Sequence, residues 1–248
     1  MIRLAIEDKE YVFDETLGID LSRAVGSGVS AWYIGSPEIG PLEVGGAVYS
    51  VSSGAAVNFD QIRFAPHAHG THTETIGHIH QNQLLIEELR LPLFMPCKLI
   101  CPSLETIDGD QILTEKALGL CDYEGVKALV IRLNPNKEYP LNYDHTNWPY
   151  LSESATKRLV QAGVEHLVLD VPSIDKEKDQ GALLSHRAFW KISESPRTSA
   201  TITEFAKIPA NLPAGNYLLQ LQVAPILSDA APCRPILFKP LLTVLCSI

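Results

Sequence analysis

The chain has 248 residues, of which 46% are hydrophobic and 20% charged, and its formal net charge is −9. This composition is typical of a globular protein that is large enough to bury its own core. The acidic balance and the lack of Lys/Arg-rich runs exclude nucleic acid as the expected partner, because phosphate binding needs a basic surface.

Segments rich in Val, Ile, Leu and Tyr and bounded by Gly, Pro, Asn or Asp predict β-strands along most of the chain. In chain order these are residues 47–53, 61–65, 97–101, 127–133, 166–170, 200–208, 217–223 and 235–245. Helices are predicted at 110–118, at 152–162 between an N-cap-type Ser152 and Gly163, and at 180–190. The irregular order favours a mixed-sheet α/β or α+β fold. No repeat or linker divides residues 1–248, so we expect one domain.

The sequence also predicts a compartment. No window of about 20 consecutive apolar residues occurs, which argues against a transmembrane helix. The first residues, MIRLAIEDKEYVFD, become charged too early for a signal peptide. The five cysteines form no CxxC pair, and Cys97 and Cys101 in CKLIC are expected to be buried structural thiols. We therefore expect a cytoplasmic protein with no membrane partner.

Five of the eight histidines lie in PHAHGTHTETIGHIH, residues 66–80, directly after the predicted strand 61–65. Imidazole and carboxylate groups are ligands for divalent ions such as zinc, manganese and iron. His72 and Glu74 are two residues apart, so in an extended chain both side chains point to the same face and can reach one ion. The cluster therefore predicts a metal site on a loop or a broken strand.

Other residues of the cluster have alternative predicted roles. His67 or His69 can join the site if the chain turns at Gly70, which supplies the backbone freedom for that turn. His78 is either another ligand or a proton carrier. His80 is expected to lie outside the site.

A catalytic metal site also needs residues from elsewhere in the chain, and the candidates at strand or helix ends are Asp170, Asp175, His186 and Glu204. His186 lies in an otherwise apolar helix-like segment. Glu204 shares a strand face with Ile202, and a carboxylate that points to the interior needs a partner such as a metal. An exposed strand acid is the alternative. His145 and His166 are expected to be structural.

The stretch GTHTETIGH, followed far downstream by DVPSID, an isolated His and an isolated Glu, resembles the metal-dependent cyclase-like hydrolase family, which includes bacterial kynurenine formamidase. The family signature is His-x-Gly-Thr-His-x-Asp-x-Pro-x-His, and the resemblance runs from about Gly45 to Lys239. It implies a mixed, partly barrel-like β-sheet flanked by helices. It also implies a homo-oligomer that binds one or two Zn²⁺ or Mn²⁺ ions and a small-molecule substrate.

The resemblance assigns roles by position. His72 matches a ligand of the first metal, and Glu74 matches the aspartate that bridges two metals. His78 matches the catalytic histidine, and His186 with Glu204 resembles the pair that completes the second site. The implied reaction is arylformamidase-like: metal-activated water cleaves an amide, a formamide or a cyclic ester or amide, and His78 carries the proton.

The chain departs from the family pattern at several points. Ala68 stands where the first family histidine is expected, and of its neighbours we favour His67 over His69 as the ligand. Glu74 replaces aspartate, and the interval from His186 to the downstream glutamate is longer than in the formamidases. These departures weaken the case for formylkynurenine and leave a non-catalytic metal- or ligand-binding protein of the same fold as the alternative.

Two further predictions concern the substrate pocket and the class of hydrolase. Phe64, Trp148 and Trp190 are candidates for the substrate pocket, with core packing as the alternative role for each. A serine hydrolase is disfavoured because no G-x-S-x-G motif accompanies a spaced Asp and His.

Overall fold

The structure is a computed structural model that describes residues 1–81, 84–119, 123, 126–134 and 138–245. Its strands are, in chain order, β1 (Ile2–Ile6), β2 (Lys9–Phe13), β3 (Ile19–Asp20), β4 (Glu38–Pro41), β5 (Glu43–Val44), β6 (Ala47–Val48), β7 (Asp60–Arg63), β8 (His72–Glu74), β9 (Met95–Ile100), β10 (Glu105–Ile107), β11 (Asp110–Leu113), β12 (Ala128–Ile131), β13 (Tyr150–Leu151), β14 (His166–Leu169), β15 (Thr201–Glu204), β16 (Gly215–Val223), β17 (Ala230–Phe238) and β18 (Leu242–Leu245). The α-helices are α1 (Glu115–Leu118), α2 (Glu153–Gln161) and α3 (Leu184–Trp190).

Seven strands close into a barrel in the order β16-β9-β12-β14-β15-β8-β17, and β17 pairs back onto β16. The neighbours from β9 through β12 and β14 to β15 are parallel, whereas the pairs that involve β8, β16 and β17 are antiparallel. β3 adds to the outer edge of β17. This mixed, barrel-like sheet with flanking helices confirms the predicted fold class.

Alternation along the barrel strands separates two cores. In β12, Ala128 and Val130 belong to a cluster inside the barrel, together with Cys97 and Val168. Leu129 and its outward-facing neighbours instead join a cluster that packs against the helices. Both faces of β12, β14 and β15 are therefore buried, which explains the nearly continuous hydrophobic sequences of β12 and β14.

The helices lie on the outer face of the parallel strands. α2 begins after Ser152, whose hydroxyl accepts a hydrogen bond from the Ala155 backbone N–H, as the sequence predicts. α3 packs against α2, and the Trp190 indole donates to the Ala200 carbonyl, which directly precedes β15. α3 is thereby fixed over the outer face of the barrel at β15.

Several predicted boundaries need correction. Residues 47–53 form only the two-residue β6 and a 3₁₀ turn at Val51–Ser53, and 110–118 is strand β11 followed by the single-turn α1. The predicted strand 235–245 is interrupted between β17 and β18, and α3 begins at Leu184 rather than at residue 180. These errors arise where Val, Ile and Leu lie in turns or short hairpins, because residue preference is weaker than tertiary context.

Residues 38–63, which we call the arm, extend from the barrel as the β4–β7 ribbon with the β5–β6 hairpin. None of them is buried. Apolar side chains on the arm are strongly exposed, including Val44 and Phe59 at 57% each. Across the described residues, the α-helices are too short to cross a membrane.

Candidate metal centre

The centre lies on the outer face of the β8–β15 pair, where β15 ends. The register places His72 opposite Glu204 and Glu74 opposite Ile202. Because side chains alternate across a strand, His72, Glu74 and Glu204 share the face that α3 covers. All three are almost completely buried, with exposed fractions of 1%, 1% and 3%. The cluster is thus a short strand between 3₁₀ turns, and Glu204 is buried rather than exposed.

The turn before β8 requires a glycine. Gly70 has φ +130, and a Cβ at this position would lie 2.7 Å from the Arg23 carbonyl oxygen. The backbone of Thr71 continues the contact, because its N–H donates to the same carbonyl. A side chain is therefore excluded here, and the turn directs the preceding 3₁₀ turn, Pro66–Ala68, toward Glu74.

The structure separates His67 from His69. The His67 Nδ1 atom lies 3.2 Å from the Glu74 Oε2 atom. The His69 ring instead accepts a hydrogen bond from the Ala65 N–H and contacts the Gly35 carbonyl at 2.7 Å from Nε2. His69 thus holds the loop together, and His67 is the histidine that joins the cluster.

α3 contributes His186, which lies between two carboxylates. Its Nε2 atom is 3.0 Å from the Glu74 Oε1, and its Nδ1 is 2.6 Å from the Asp175 Oδ2. Asp175 also accepts hydrogen bonds from the backbone N–H groups of Ser185 and His186, at the first turn of the helix. An imidazole held by a carboxylate on one nitrogen presents its other nitrogen to a metal.

His78 lies on the open side of the centre, with a side chain that is 31% exposed. It ends a 3₁₀ turn capped by Thr75, whose hydroxyl accepts from the Gly77 N–H. The His78 Nε2 atom is 3.9 Å from the Glu74 Oε2, and its Nδ1 is 3.3 Å from the Asp229 Oδ2. Access to the centre is therefore from the side of His67 and His78.

Two groups of donor atoms meet at Glu74. His67, Glu74 and His78 form one, and His72, Glu74 and Glu204 form the other; within each group the donor atoms lie within 4.8 Å of one another. The His72 Nδ1 contacts the Gly70 carbonyl, whereas its buried Nε2 has no hydrogen-bond partner among the described residues. A buried polar atom without a partner is costly, and a divalent ion would satisfy it. The donor set fits a metal.

The buried ionisable groups of the centre shift one another's pKa values. Burial alone would raise the pKa of Glu74, but His78 and His186 hold it well below its usual value. Burial would likewise lower the pKa of His67, but hydrogen bonds to Asp229 and Glu74 raise it to about 10. Burial and the neighbouring Glu74 raise the pKa of Glu204. With no ion bound, protons on these histidines balance the buried carboxylates, and a bound divalent cation would take the place of those protons.

The other predicted residues lie elsewhere. Trp148 and Trp190 are buried in the core between barrel and helices, although the Trp190 ring centroid is 5.5 Å from that of His186. Phe64 is half-buried in the segment that leads to His67. Asp170 accepts from the Leu133 N–H and the Tyr139 hydroxyl, away from the cluster. These placements favour the packing role that was the alternative for the tryptophans.

Asp229 is a further residue of the centre, and the sequence alone does not predict it. Its Oδ2 atom lies 2.8 Å from the His67 Nε2 and also contacts His78, and these two hydrogen-bonded histidines hold its pKa below the usual value. The residue directly precedes β17, which pairs with β8. A lone Asp in SDAAPC carries no local signal, and only the pairing of β17 with β8 brings it to the centre.

Comparisons with known proteins agree with this architecture. A predicted metal-dependent hydrolase from Bacillus stearothermophilus has a TM-score of 0.64 and 19% identity, covering 89% of this chain and 97% of its own. An isatin hydrolase bound to the product analogue thioisatinate has a TM-score of 0.63 and 16% identity, covering 90% and 92%. Isatin hydrolase A from Labrenzia aggregata, bound to benzyl benzoate, has a TM-score of 0.62 and 14% identity, covering 89% and 93%. At these identities the likeness shows the fold.

No curated protein matches the chain. A family model does: residues 19–176 match the family described as "Putative cyclase". The match covers more than half of the chain and includes the histidine cluster, and the chain therefore belongs to this cyclase family.

Proposed function

We propose that this protein is a metal-dependent hydrolase that cleaves the C–N bond of an amide or formamide, or a cyclic ester or amide. The observation that carries the proposal is the pair of donor groups that share Glu74. The likeness to isatin hydrolases, whose name denotes hydrolysis of a cyclic amide, supports the cyclic amide within this class. Arylformamidase-like specificity is the acyclic form of the same proposal.

The residues that would hold the metal are His67, His72, Glu74, His186 and Glu204, and Glu74 belongs to both donor groups. Imidazole and carboxylate donors without a thiolate suit Zn²⁺ or Mn²⁺, and the two groups offer places for one or two ions. A bound divalent ion supplies a Lewis acid for a carbonyl oxygen and lowers the pKa of water. His72 and Glu204 form the buried floor of the site and exclude bulk solvent from it.

His78 is the proposed proton carrier. Its position on the open side places the imidazole beside the route by which a small substrate would reach the donor groups. The His78 Nε2 atom faces Glu74, so it accepts a proton from attacking water and returns it to the leaving nitrogen or oxygen. Asp229 on the opposite nitrogen keeps that orientation.

The first experiment measures metal content in protein purified without added metal, by elemental analysis. We expect zinc or manganese at one or two ions per chain. The metal-bound protein is then assayed with an N-formyl arylamine, isatin and an aryl lactone, with and without a chelator. Turnover that the chelator abolishes supports the proposal. Bound metal with no turnover of any amide or lactone supports the non-catalytic alternative, and serine-directed inhibition of a metal-free protein contradicts both.

We also propose a homo-oligomer that forms through the arm. A two-stranded ribbon is marginally stable alone, and contiguous exposed apolar side chains mark interaction surfaces. Sedimentation velocity should therefore show a dimer or larger species that Phe59→Ser shifts toward the monomer. Leu227→Ser is the matched control, because Leu227 is 72% exposed but lies outside the arm. An unchanged distribution for both variants contradicts the assignment.

The cytoplasm remains the proposed location. Cys97, Cys101 and Cys233 are free thiols, which suits a reducing compartment.

A further inference from the structure

Asp229 occupies a fixed position at the open side of the centre. Its backbone carbonyl accepts a hydrogen bond from the Thr75 N–H at 2.9 Å, so it is tied to the residue that follows Glu74. The Ser228 hydroxyl donates to the Oδ1 atom at 3.3 Å. The other oxygen, Oδ2, is directed to the two histidines.

Two imidazoles share that oxygen. The Asp229 Oδ2 atom is 2.8 Å from the His67 Nε2 and 3.3 Å from the His78 Nδ1. On the far side of each ring, the remaining nitrogen faces the Glu74 Oε2, at 3.2 Å for His67 and 3.9 Å for His78. The ring centroids are 4.1 Å apart. Each imidazole thus lies between the part-exposed Asp229 carboxylate and the buried Glu74 carboxylate.

This geometry selects a tautomer for each ring. A neutral imidazole has one N–H and one lone pair, and the hydrogen bond made by one nitrogen determines the role of the other. With a metal bound and both rings neutral, Asp229 would accept both outer N–H groups, and the His67 Nδ1 and the His78 Nε2 would each keep a lone pair on the side of Glu74. The first is the nitrogen of a proposed ligand, and the second is the nitrogen that accepts a proton.

We infer that Asp229 is a positioning residue that holds the proposed metal ligand His67 as the Nε2–H tautomer and the proposed proton carrier His78 as the Nδ1–H tautomer. The inference rests on the proposed function, and it adds that one carboxylate serves both metal binding and proton transfer. Asp175 provides the natural comparison, because it holds the ring of His186 alone.

The test compares Asp229→Ala, Asp229→Asn and Asp175→Asn with the wild type. Zinc affinity is measured by competition with a chromogenic chelator, and the His78 tautomer is read from long-range ¹H–¹⁵N couplings of the imidazole in zinc-loaded protein. Asp229 is only part-buried, with a side chain that is 30% exposed, and circular dichroism checks that the variants fold.

We expect Asp229→Ala to weaken zinc binding by about 10- to 100-fold, as loss of a carboxylate behind a ligating histidine does. It should also convert His78 from the single Nδ1–H tautomer to a mixture. Asp229→Asn retains an acceptor oxygen and should give smaller changes of both kinds. Asp175→Asn should weaken zinc binding but leave the His78 tautomer unchanged.

Two results overturn the inference. If Asp229→Ala has wild-type zinc affinity and an unchanged His78 tautomer, Asp229 has no positioning role. If only its zinc affinity changes, Asp229 positions His67 but not His78. Failure of the proposed function is distinct, because the wild type would then bind no zinc. In that case the His78 tautomer in the metal-free protein still tests the contact with Asp229.

Discussion

The two faces of the β8–β15 pair satisfy their polar side chains in different ways. On the inner face, the hydroxyls of Thr73 and Thr203 hydrogen-bond each other across the pair at 2.7 Å. On the outer face, His72 and Glu204 occupy the adjacent opposed positions and are as deeply buried. The His72 Nε2 atom nevertheless lies 3.6 Å from the Glu204 Oε2 and makes no hydrogen bond within the described chain.

Burial alone therefore does not identify a site. Folding completes the inner face, because each hydroxyl there is the other's partner. The outer face keeps an unpaired nitrogen, at a cost of about 1–3 kcal/mol for a buried polar group of this kind. A ligand that binds the folded protein recovers that cost and adds its own binding energy to stability.

Substitutions at neighbouring residues on opposite faces test whether the two faces have different roles. His72→Ala removes the unpaired nitrogen, so the metal content after dialysis, measured by elemental analysis, should fall to background, and activity should fall more than about 100-fold. Thr73→Ala removes only the inner hydroxyl pair. It should keep the wild-type metal content and lose about 1 kcal/mol of unfolding free energy in urea.

Either variant can contradict this picture. Wild-type metal content in His72→Ala would show that the unpaired nitrogen is not a ligand. Loss of metal from a folded Thr73→Ala would show that the two faces are not independent.

The second prediction concerns His78, on the open side of the centre. His78→Ala should lower kcat by about 10²–10⁴-fold, which is the usual contribution of a positioned proton carrier. Metal content should stay at the wild-type level, because the ligands on the buried floor remain. Steady-state kinetics on the best substrate of the screen and elemental analysis of the same sample measure both. Loss of metal would instead place His78 among the ligands.

Local sequence was sufficient to predict most of the outer face. His72 and Glu74 share a face because strand alternation is a property of neighbouring residues, and the same holds for Glu204 beside Ile202. The strands at 127–133 and 166–170 were predictable because both of their faces are buried and apolar. The barrel-like sheet came from the family resemblance rather than from periodicity.

The residues that local sequence did not resolve depend on contacts between distant segments. Spacing left His67 and His69 as alternatives, and the choice is made by a 3₁₀ turn and by the Gly35 carbonyl that holds His69. Asp229 became visible only through the pairing of β17 with β8. The strand predicted at residues 47–53 of the arm was wrong, because the Val and Tyr side chains there are exposed rather than packed in a sheet.

The inner face gives a prediction about pH. His166 is buried inside the barrel beside the Thr201 hydroxyl, and burial lowers its pKa from 6.5 to about 4. The unfolded chain therefore takes up a proton before the folded one does. This contribution to stability is complete above pH 6.5, is lost progressively as the pH falls toward 4, and amounts to about 3 kcal/mol.

His166→Asn removes that titration and should flatten the loss of unfolding free energy between pH 6.5 and 4. Urea unfolding of metal-stripped wild type and variant at several pH values measures the slope. Asp170 titrates in the opposite sense, because burial raises its pKa to about 6, and it is common to both proteins. If the unfolding free energies of the wild type and of His166→Asn fall in parallel with pH, His166 accepts a proton inside the folded barrel.

The last prediction concerns the turn at Gly70, which precedes His72, and its contribution to the unfolding free energy. Gly70→Ala places a Cβ 2.7 Å from the Arg23 carbonyl oxygen at φ +130, so we expect a loss of about 1–3 kcal/mol in unfolding free energy. Gly46→Ala is the matched control, because Gly46 also has a positive φ, +83, but has open space around it. If both variants lose the same free energy in urea, backbone conformation alone is responsible and the contact with Arg23 is not required. A larger loss in Gly70→Ala, accompanied by reduced metal content, would show that this close approach fixes the start of β8 and thereby determines which face receives the histidine.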